Sequence, residues 1–206
     1  YGRLIVTDRL PEQPPLWAQN CWRNPILIPI QSISDAAQKL KSIQRNWSLY
    51  SFHLHRRGQL IQEQLPYVSA KPLHFPTQPP QSPLGSWTLL DRDTLLAASD
   101  CSSAFPNGEI QFAEDKKNPP NRAYLKLWEA LTVVQQHPKP GQFCIDVGAS
   151  PGGWTWVLAQ LAAEVLSIDR SLLDERISEM PGVNFQKGDA FSLSPEKFKE
   201  TREKTD

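Results

Sequence analysis

The feature that most constrains the fold is a glycine-rich turn between a short apolar run and an amphipathic stretch. Residues 143–147 are typical of a buried strand, and the turn over residues 148–153 contains Gly148, Gly152 and Gly153. Apolar side chains then recur at helical spacing at Trp154, Val157, Leu158 and Leu161. A strand that enters a helix through such a turn brings backbone amides and the positive end of the helix dipole to one place.

Two further apolar runs follow the predicted helix. Residues 165–168 end at Asp169, and residues 183–185 lead to Asp189. Strand, glycine turn, helix, strand and acidic residue, in this order, predict the opening of a doubly wound α/β sheet. Residues at the carboxyl ends of its strands are then candidates for ligand binding.

The residue types in the turn favour a nucleoside ligand without phosphate. A dinucleotide fingerprint needs a glycine where Ser150 stands, and no Gly-Lys-Ser/Thr follows to grip a phosphate. We expect Ser150 to cap the helix and Pro151 to be its first residue. S-adenosylmethionine fits this pattern, with Asp169 accepting from its ribose hydroxyls and Asp189 from its adenine amino group.

Two motifs resemble the FtsJ-like (RrmJ-type) ribose 2′-O-methyltransferases. Residues 146–154 match the family's cofactor motif, Asp-x-Gly-Ala-x-Pro-Gly-Gly-Trp, and residues 121–127 match its Ser-Arg-Ala-x-x-Lys-Leu segment except that Asn121 replaces the serine. The resemblance implies a Rossmann-like S-adenosylmethionine-dependent methyltransferase fold. It makes Lys126 the first member of a Lys-Asp-Lys-Glu catalytic set. The cofactor-binding residues expected from turn and family together are Gly148, Ser150, Pro151, Gly152, Gly153, Trp154, Asp169 and Asp189.

The remaining catalytic residues of that family find no match in this sequence. Three strands are predicted where a doubly wound sheet has about five or six. Residues 194–206 alternate charges without an apolar run. We therefore expect the C-terminal part of the fold, with the catalytic Asp, Lys and Glu, to lie beyond Asp206, and these 206 residues to be inactive alone.

The sequence before the motifs predicts a separate, small α+β domain. We place this domain at residues 1–114, with a proline-rich connector at 71–85, and the methyltransferase domain at 115–206. The predicted strands are 24–30, 47–54, 86–90, 94–98 and 109–112, and the predicted helices are 32–46 and 59–65. Ser32 and Asp35 resemble a capping box at the start of the first helix, and residues 91–93 predict a hairpin turn between two of the strands. In the second domain, Asn121 is expected to cap a further helix.

This layout is similar to that of RlmM-type large-subunit ribosomal RNA methyltransferases, in which an RNA-binding THUMP domain precedes the catalytic domain. Residues 1–90 hold nine basic and four acidic side chains, a net charge of +5, whereas residues 91–206 carry a net charge of −5. Arg45, Arg56 and Arg57 are the candidate RNA-binding residues, although a surface without any RNA role fits them equally well. The expected partner is RNA, in particular ribosomal RNA.

Composition excludes several other classes. The apolar runs are far shorter than the roughly 20 residues of a membrane-spanning helix. The three cysteines lack the Cys-x-x-Cys spacing of zinc sites and make an odd count, which argues against a disulfide framework. We expect a cytoplasmic protein without a metal site or membrane partner.

Three functions remain open from the sequence. The first is an RNA 2′-O-methyltransferase, the second a non-catalytic RNA-binding or assembly protein with the same fold, and the third an NAD-dependent oxidoreductase, which Ser150 and Pro151 disfavour. Lys126 likewise has a second interpretation, because on a helix it shares a face with Arg122 and Glu129 and would then be an ion-paired surface residue.

Overall fold

The computed structural model describes residues 1–9, 15 and 17–192, which form two compact units. The N-terminal unit comprises Tyr1–Leu73 and Pro79–Gln111. The C-terminal unit comprises His74–Gln78 and the described residues from Phe112 onward. The charged stretch 194–206 lies outside the described residues. None of the helices in the described part of the chain is long and apolar enough to cross a membrane.

The N-terminal unit is a four-stranded sheet with two helices. Its elements are β1 (Trp22–Arg23), β2 (Ile26–Pro29), α1 (Ile33–Ile43), β3 (Trp47–Leu49), α2 (His55–Gln62), β4 (Gly85–Leu89), β5 (Thr94–Ala98) and β6 (Asp100–Cys101). The strand order is β2-β5-β4-β3, antiparallel except that β3 runs parallel to β4, and β1 pairs with β6. The core lies on one face of the sheet, where Trp47, Trp87 and Leu40 are buried.

Local sequence accounts for much of this unit. The hydroxyl of Ser32 accepts from the N–H of Asp35, so the predicted cap of α1 is confirmed. The hairpin between β4 and β5 is also confirmed. The predicted strand 47–54 was too long, since it ends at Leu49, and α2 begins earlier than expected. Residues 109–112 do not form a strand.

The C-terminal unit is a three-stranded parallel sheet with helices. Its elements are α3 (Tyr124–Val134), β7 (Phe143–Val147), α4 (Gly153–Gln160), β8 (Glu164–Asp169), α5 (Glu175–Ser178) and β9 (Val183–Lys187). The strand order is β7-β8-β9, and Ile145 of β7 lies opposite Leu166 of β8. Side chains of α3 and α4 form one aromatic cluster in the core, with Tyr124 against both Trp128 and Trp156.

The predicted order of strand, glycine turn, helix and strand in a parallel α/β sheet is confirmed for these three strands. Because all three strands are parallel, their carboxyl ends meet at one edge of the sheet. The protein is thus of mixed α/β class, with an antiparallel-rich unit preceding a Rossmann-like one.

Candidate functional site

Three of the predicted site residues lie side by side where the parallel strands end. Gly148 directly follows β7, Asp169 is the last residue of β8, and Asp189 comes two residues after β9. We call the edge formed by these three residues the strand-tip edge. The N–H of Gly148 donates to Ile168 O at 2.9 Å, and the N–H of Gly188 donates to Asp169 O at 2.9 Å. These bonds hold the three strand tips together.

The glycines of the turn differ in what surrounds them. A Cβ on Gly148 would meet no atom of the described residues within 4 Å, and its φ of +73° is one that other residues rarely adopt. A Cβ on Gly152, by contrast, would lie 2.8 Å from Cγ2 of Ile177, and one on Gly153 would collide with Oδ1 of Asn121. Protein therefore fills the space at Gly152 and Gly153, and only at Gly148 does the turn leave room for a ligand to approach the backbone.

The predicted helix start was wrong by two residues. Gly152 is the N-cap and α4 begins at Gly153, so Ser150 is not the cap and Pro151 is not the first helical residue. The N–H of Ser150 donates to Asp169 Oδ2 at 3.0 Å, and its hydroxyl donates to Leu172 O at 2.9 Å. These two contacts with more distant residues hold Ser150 outside the helix.

The carboxylates at the strand-tip edge are held by donors. The residue Asp169 is half-buried by its surface area. Its carboxylate accepts from the N–H groups of Ser171 at 2.8 Å and Ser150 at 3.0 Å, which lower its pKa. Asp189 accepts from the guanidinium of Arg170 and from the N–H of Phe191, and the Arg170 hydrogen bond is the larger cause of its lowered pKa. Both residues are thus anionic near neutral pH, and each carboxylate oxygen keeps capacity for a further hydrogen bond.

A third carboxylate, Asp146, was not among the predicted site residues. It lies in β7, 5% exposed, and its Oδ2 accepts from the hydroxyl of Thr155 at 2.7 Å, which lies 2.8 Å from the hydroxyl of Ser167. Burial raises the pKa of Asp146. This network joins α4 to β7 and β8 directly below the turn. The sequence signal was available, because an acidic residue inside an otherwise apolar strand needs a partner.

The two predicted motifs meet in space. Ala123 O accepts from the indole N–H of Trp154 at 3.0 Å and from the backbone N–H of Lys126 at 3.1 Å. Asn121 does not cap α3 by hydrogen bonding to its first turn, but its Oδ1 accepts from the N–H of Ala123 at 2.9 Å. The backbone of Lys126 is therefore next to the start of α4.

The side chain of Lys126 is exposed. None of the six ion pairs within residues 1–9, 15 and 17–192 involves it, and Arg122 pairs with Glu114 instead. The ion-paired interpretation of Lys126 finds no support in these contacts.

The candidate RNA-binding arginines lie in the N-terminal unit. Arg45 follows α1, and Arg56 lies in the first turn of α2; both are exposed. Arg57 is half-buried, and its Nε is buried without a hydrogen-bond partner among the described residues. Arg45 and Arg56 are therefore the more accessible of the three.

Comparison with known proteins relates this chain to RNA methyltransferases. Residues 119–206 match the sequence profile of the family described as FtsJ-like methyltransferase. The protein named ribosomal RNA large subunit methyltransferase M from Halorhodospira halophila is 42% identical over 82 residues, which cover 38% of this chain and 24% of that protein. The protein of the same name from Xanthomonas campestris is 37% identical over 115 residues, covering 52% of this chain and 33% of that protein.

These matches span a quarter to a third of the length of the two relatives. A crystal structure from Plasmodium falciparum described as "a ribosomal RNA methyltransferase, putative" is a weak structural match, with a TM-score of 0.32 and 24% identity over 39% of this chain and 48% of that one. The profile match includes both motifs, at residues 121–127 and 146–154. The resemblance predicted from these motifs is thereby confirmed, and residues 119–206 are similar to the FtsJ-like methyltransferases.

Proposed function

We propose that this protein is an S-adenosylmethionine-dependent RNA methyltransferase that acts on a ribose 2′-hydroxyl of ribosomal RNA in the cytoplasm. The main observation in support of the proposal is the composition of the strand-tip edge. There Gly148, which leaves space at the backbone, lies beside the anionic carboxylates of Asp169 and Asp189. The contact between the motif of Lys126 and the turn supports it further. The names of the relatives favour ribosomal RNA as the substrate.

The residues at the strand-tip edge fit the methyl donor. Gly148 leaves space for the ligand to reach the backbone. The N–H groups of Ser150 and Ser171 each occupy one lone pair of the Asp169 carboxylate oxygens, and the remaining lone pairs accept from the ribose hydroxyls of the donor. The carboxylate of Asp189 accepts from the adenine amino group. A pyrophosphate fits less well, because the N–H of Ser150 is already bound to Asp169 and Pro151 has no N–H to donate.

Lys126 acts on the substrate hydroxyl. When bound, the donor supplies a sulfonium methyl group, which is already electrophilic. The amine of Lys126 orients the 2′-hydroxyl or takes its proton, and alignment of the two reactants supplies much of the rate enhancement. An exposed amine suits this role, because the RNA must reach it from solvent.

The N-terminal unit is the proposed RNA-binding module. Exposed Arg45 and Arg56 would neutralise phosphates, and Arg57 would contribute only after rearranging its buried Nε. The non-catalytic alternative, an RNA-binding or assembly protein with this fold, predicts donor binding without transfer.

Calorimetry tests the ligand directly. We expect S-adenosylmethionine to bind the 206-residue chain with a Kd of about 1–100 μM, and NAD to show no heat of binding at the same concentration. Binding of NAD in place of the methyl donor would contradict the proposal.

Transfer from methyl-labelled donor to ribosomal RNA, measured with the full-length gene product, tests the catalytic role. Lys126→Ala should lower the rate by at least about a hundredfold while changing donor affinity less than about twofold. Lys139→Ala, which removes an exposed lysine before β7 at the opposite edge of the sheet, is the matched control and should retain the wild-type rate. Retained turnover in Lys126→Ala would refute its catalytic role.

A further inference from the structure

The guanidinium of Arg170 connects two strand tips. Arg170 directly follows Asp169 at the end of β8, and its Nη2 donates to Oδ2 of Asp189 beyond the end of β9. The strands are neighbours, with Asp169 opposite Lys187. The ion pair therefore lies along the strand-tip edge itself.

This ion pair contributes little to folding. The side chains of Arg170 and Asp189 are 77% and 33% exposed, and exposed pairs typically have small effects on stability. Of the six ion pairs among the described residues, it is the one that joins the carboxyl ends of two parallel strands. Because the Arg170–Asp189 pair adds little to stability and lies at the strand-tip edge, its position favours a role in ligand binding.

The contact fixes the orientation of the Asp189 carboxylate. Its Oδ1 accepts from the N–H of Phe191 at 3.0 Å, and its Oδ2 accepts from Arg170. With one donor on each oxygen the carboxylate plane is fixed, and one acceptor position remains on each oxygen. Without Arg170, rotation about χ2 of Asp189 would be restrained only by the hydrogen bond from the N–H of Phe191.

The described residues leave space beside this carboxylate. A Cβ on Gly188 would meet none of their atoms within 4 Å, as at Gly148, so within this part of the chain the tips of β9 and β7 are open on either side of Asp169. A flat base can lie there with its polar edge towards Asp189.

We propose that Arg170 is a positioning residue that aims the Asp189 carboxylate at the exocyclic amino group of adenine and so selects adenine over 6-oxopurines in the donor. This inference rests on the proposed function, because it takes an adenosine-containing ligand to bind at the strand-tip edge. The selection follows from hydrogen-bond polarity: an amino group donates to a carboxylate, whereas a 6-oxo group presents an acceptor and is repelled.

Calorimetry with a matched pair of ligands tests the proposal. S-adenosylhomocysteine and S-inosylhomocysteine differ at the 6-position, where an oxo group replaces the amino group, and at the adjacent N1, which gains a hydrogen. We expect the wild-type chain to prefer the adenine compound about ten- to a hundredfold, as for one hydrogen bond to a charged group. Arg170→Ala should reduce this preference to less than about threefold, with the affinity for the inosine compound unchanged.

A double-mutant cycle and a control variant complete the test. Asp189→Asn should lose the same preference, and adding Arg170→Ala to it should have no further effect, because both act on one contact. Arg176→Ala removes another exposed Arg–Asp pair of the same unit, in which Arg176 contacts Asp174 at 2.9 Å, and should leave the preference intact.

The outcomes separate the two proposals. If Arg170→Ala weakens both compounds equally or keeps the full preference, the role of Arg170 is wrong while the proposed function stands. If the wild-type chain binds neither compound, the proposed function fails and this inference fails with it.

Discussion

The two units bury different kinds of polar residue. In the N-terminal unit the buried polar side chains are neutral: Ser48, Ser86 and Thr88. In the C-terminal unit a carboxylate, Asp146, is buried with Thr155 and Ser167, and it is the one ionisable side chain among the buried polar residues of the described part of the chain. Burying a charge is unfavourable unless the charge is compensated. The comparison teaches that the first unit is organised for packing, whereas the second tolerates the unfavourable burial of a carboxylate below the strand-tip edge.

The largest expected effect lies in the packing of the N-terminal unit. Trp47 is 1% exposed, and its indole N–H donates to Leu40 O at 2.9 Å. Trp47→Ala should lower the free energy of unfolding by about 3–5 kcal/mol, because it removes a large buried ring. Trp17→Ala, at a site 72% exposed, should change it by less than about 0.5 kcal/mol. Urea unfolding measures both.

The comparison predicts that the loss of stability in Trp47→Ala leaves the structure of the strand-tip edge unchanged. Where Trp47→Ala is still folded, its affinity for S-adenosylhomocysteine should equal that of the wild type. A large loss of affinity in this variant would show that the distinction between a packing unit and a binding unit is wrong.

A pair of glycines should separate stability from binding within the C-terminal unit. Gly152→Ala should cost about 1–3 kcal/mol, because the new Cβ meets Ile177 and φ is +112°. Gly148→Ala meets no neighbour among the residues that the structure describes and should cost about 1 kcal/mol through its positive φ alone, yet lower donor affinity at least about tenfold. Thermal unfolding measures the loss of stability in each variant, and calorimetry measures the loss of donor affinity. If both variants lost donor affinity in proportion to their loss of stability, the assignment of Gly148 to the ligand would be contradicted.

The smallest expected effect concerns the charge of Asp146. Burial raises its pKa, so the folded protein binds this proton more tightly than the unfolded chain does. As the pH rises from about 4 through the raised pKa, wild type should lose stability relative to Asp146→Asn, and below pH 4 the difference should be constant. Unfolding of both proteins over pH 3–8 measures this. A difference that does not vary with pH, or one that favours wild type as pH rises, would contradict a raised pKa.

Sequence patterns predicted the elements that local contacts determine. The spacing of Ala36 and Leu40 and the capping Ser32 suffice for α1. The order of strand, turn and helix likewise predicted which residues meet at the strand-tip edge, because parallel strands end on the same side.

The errors arose where distant residues decide the local conformation. Ser150 and Pro151 have the residue types of a helix start, but Asp169 and Leu172 bind Ser150, and Ile177 lies against Gly152. The same holds for Asp146, whose partners Thr155 and Ser167 come from two other elements. A pattern within one segment can indicate that a residue such as Asp146 needs a partner, but it does not identify which distant residues supply the contact.

The central claim is that the strand-tip edge binds an adenosine-containing methyl donor, and chemical-shift mapping tests it most directly. A titration of the ¹⁵N-labelled chain with S-adenosylhomocysteine should shift the backbone amides of Gly148, Arg170 and Gly188, and leave Gly141 at the opposite edge unchanged. Absence of shifts at saturating ligand, or shifts confined to the amino ends of the strands or to the N-terminal unit, would contradict the claim.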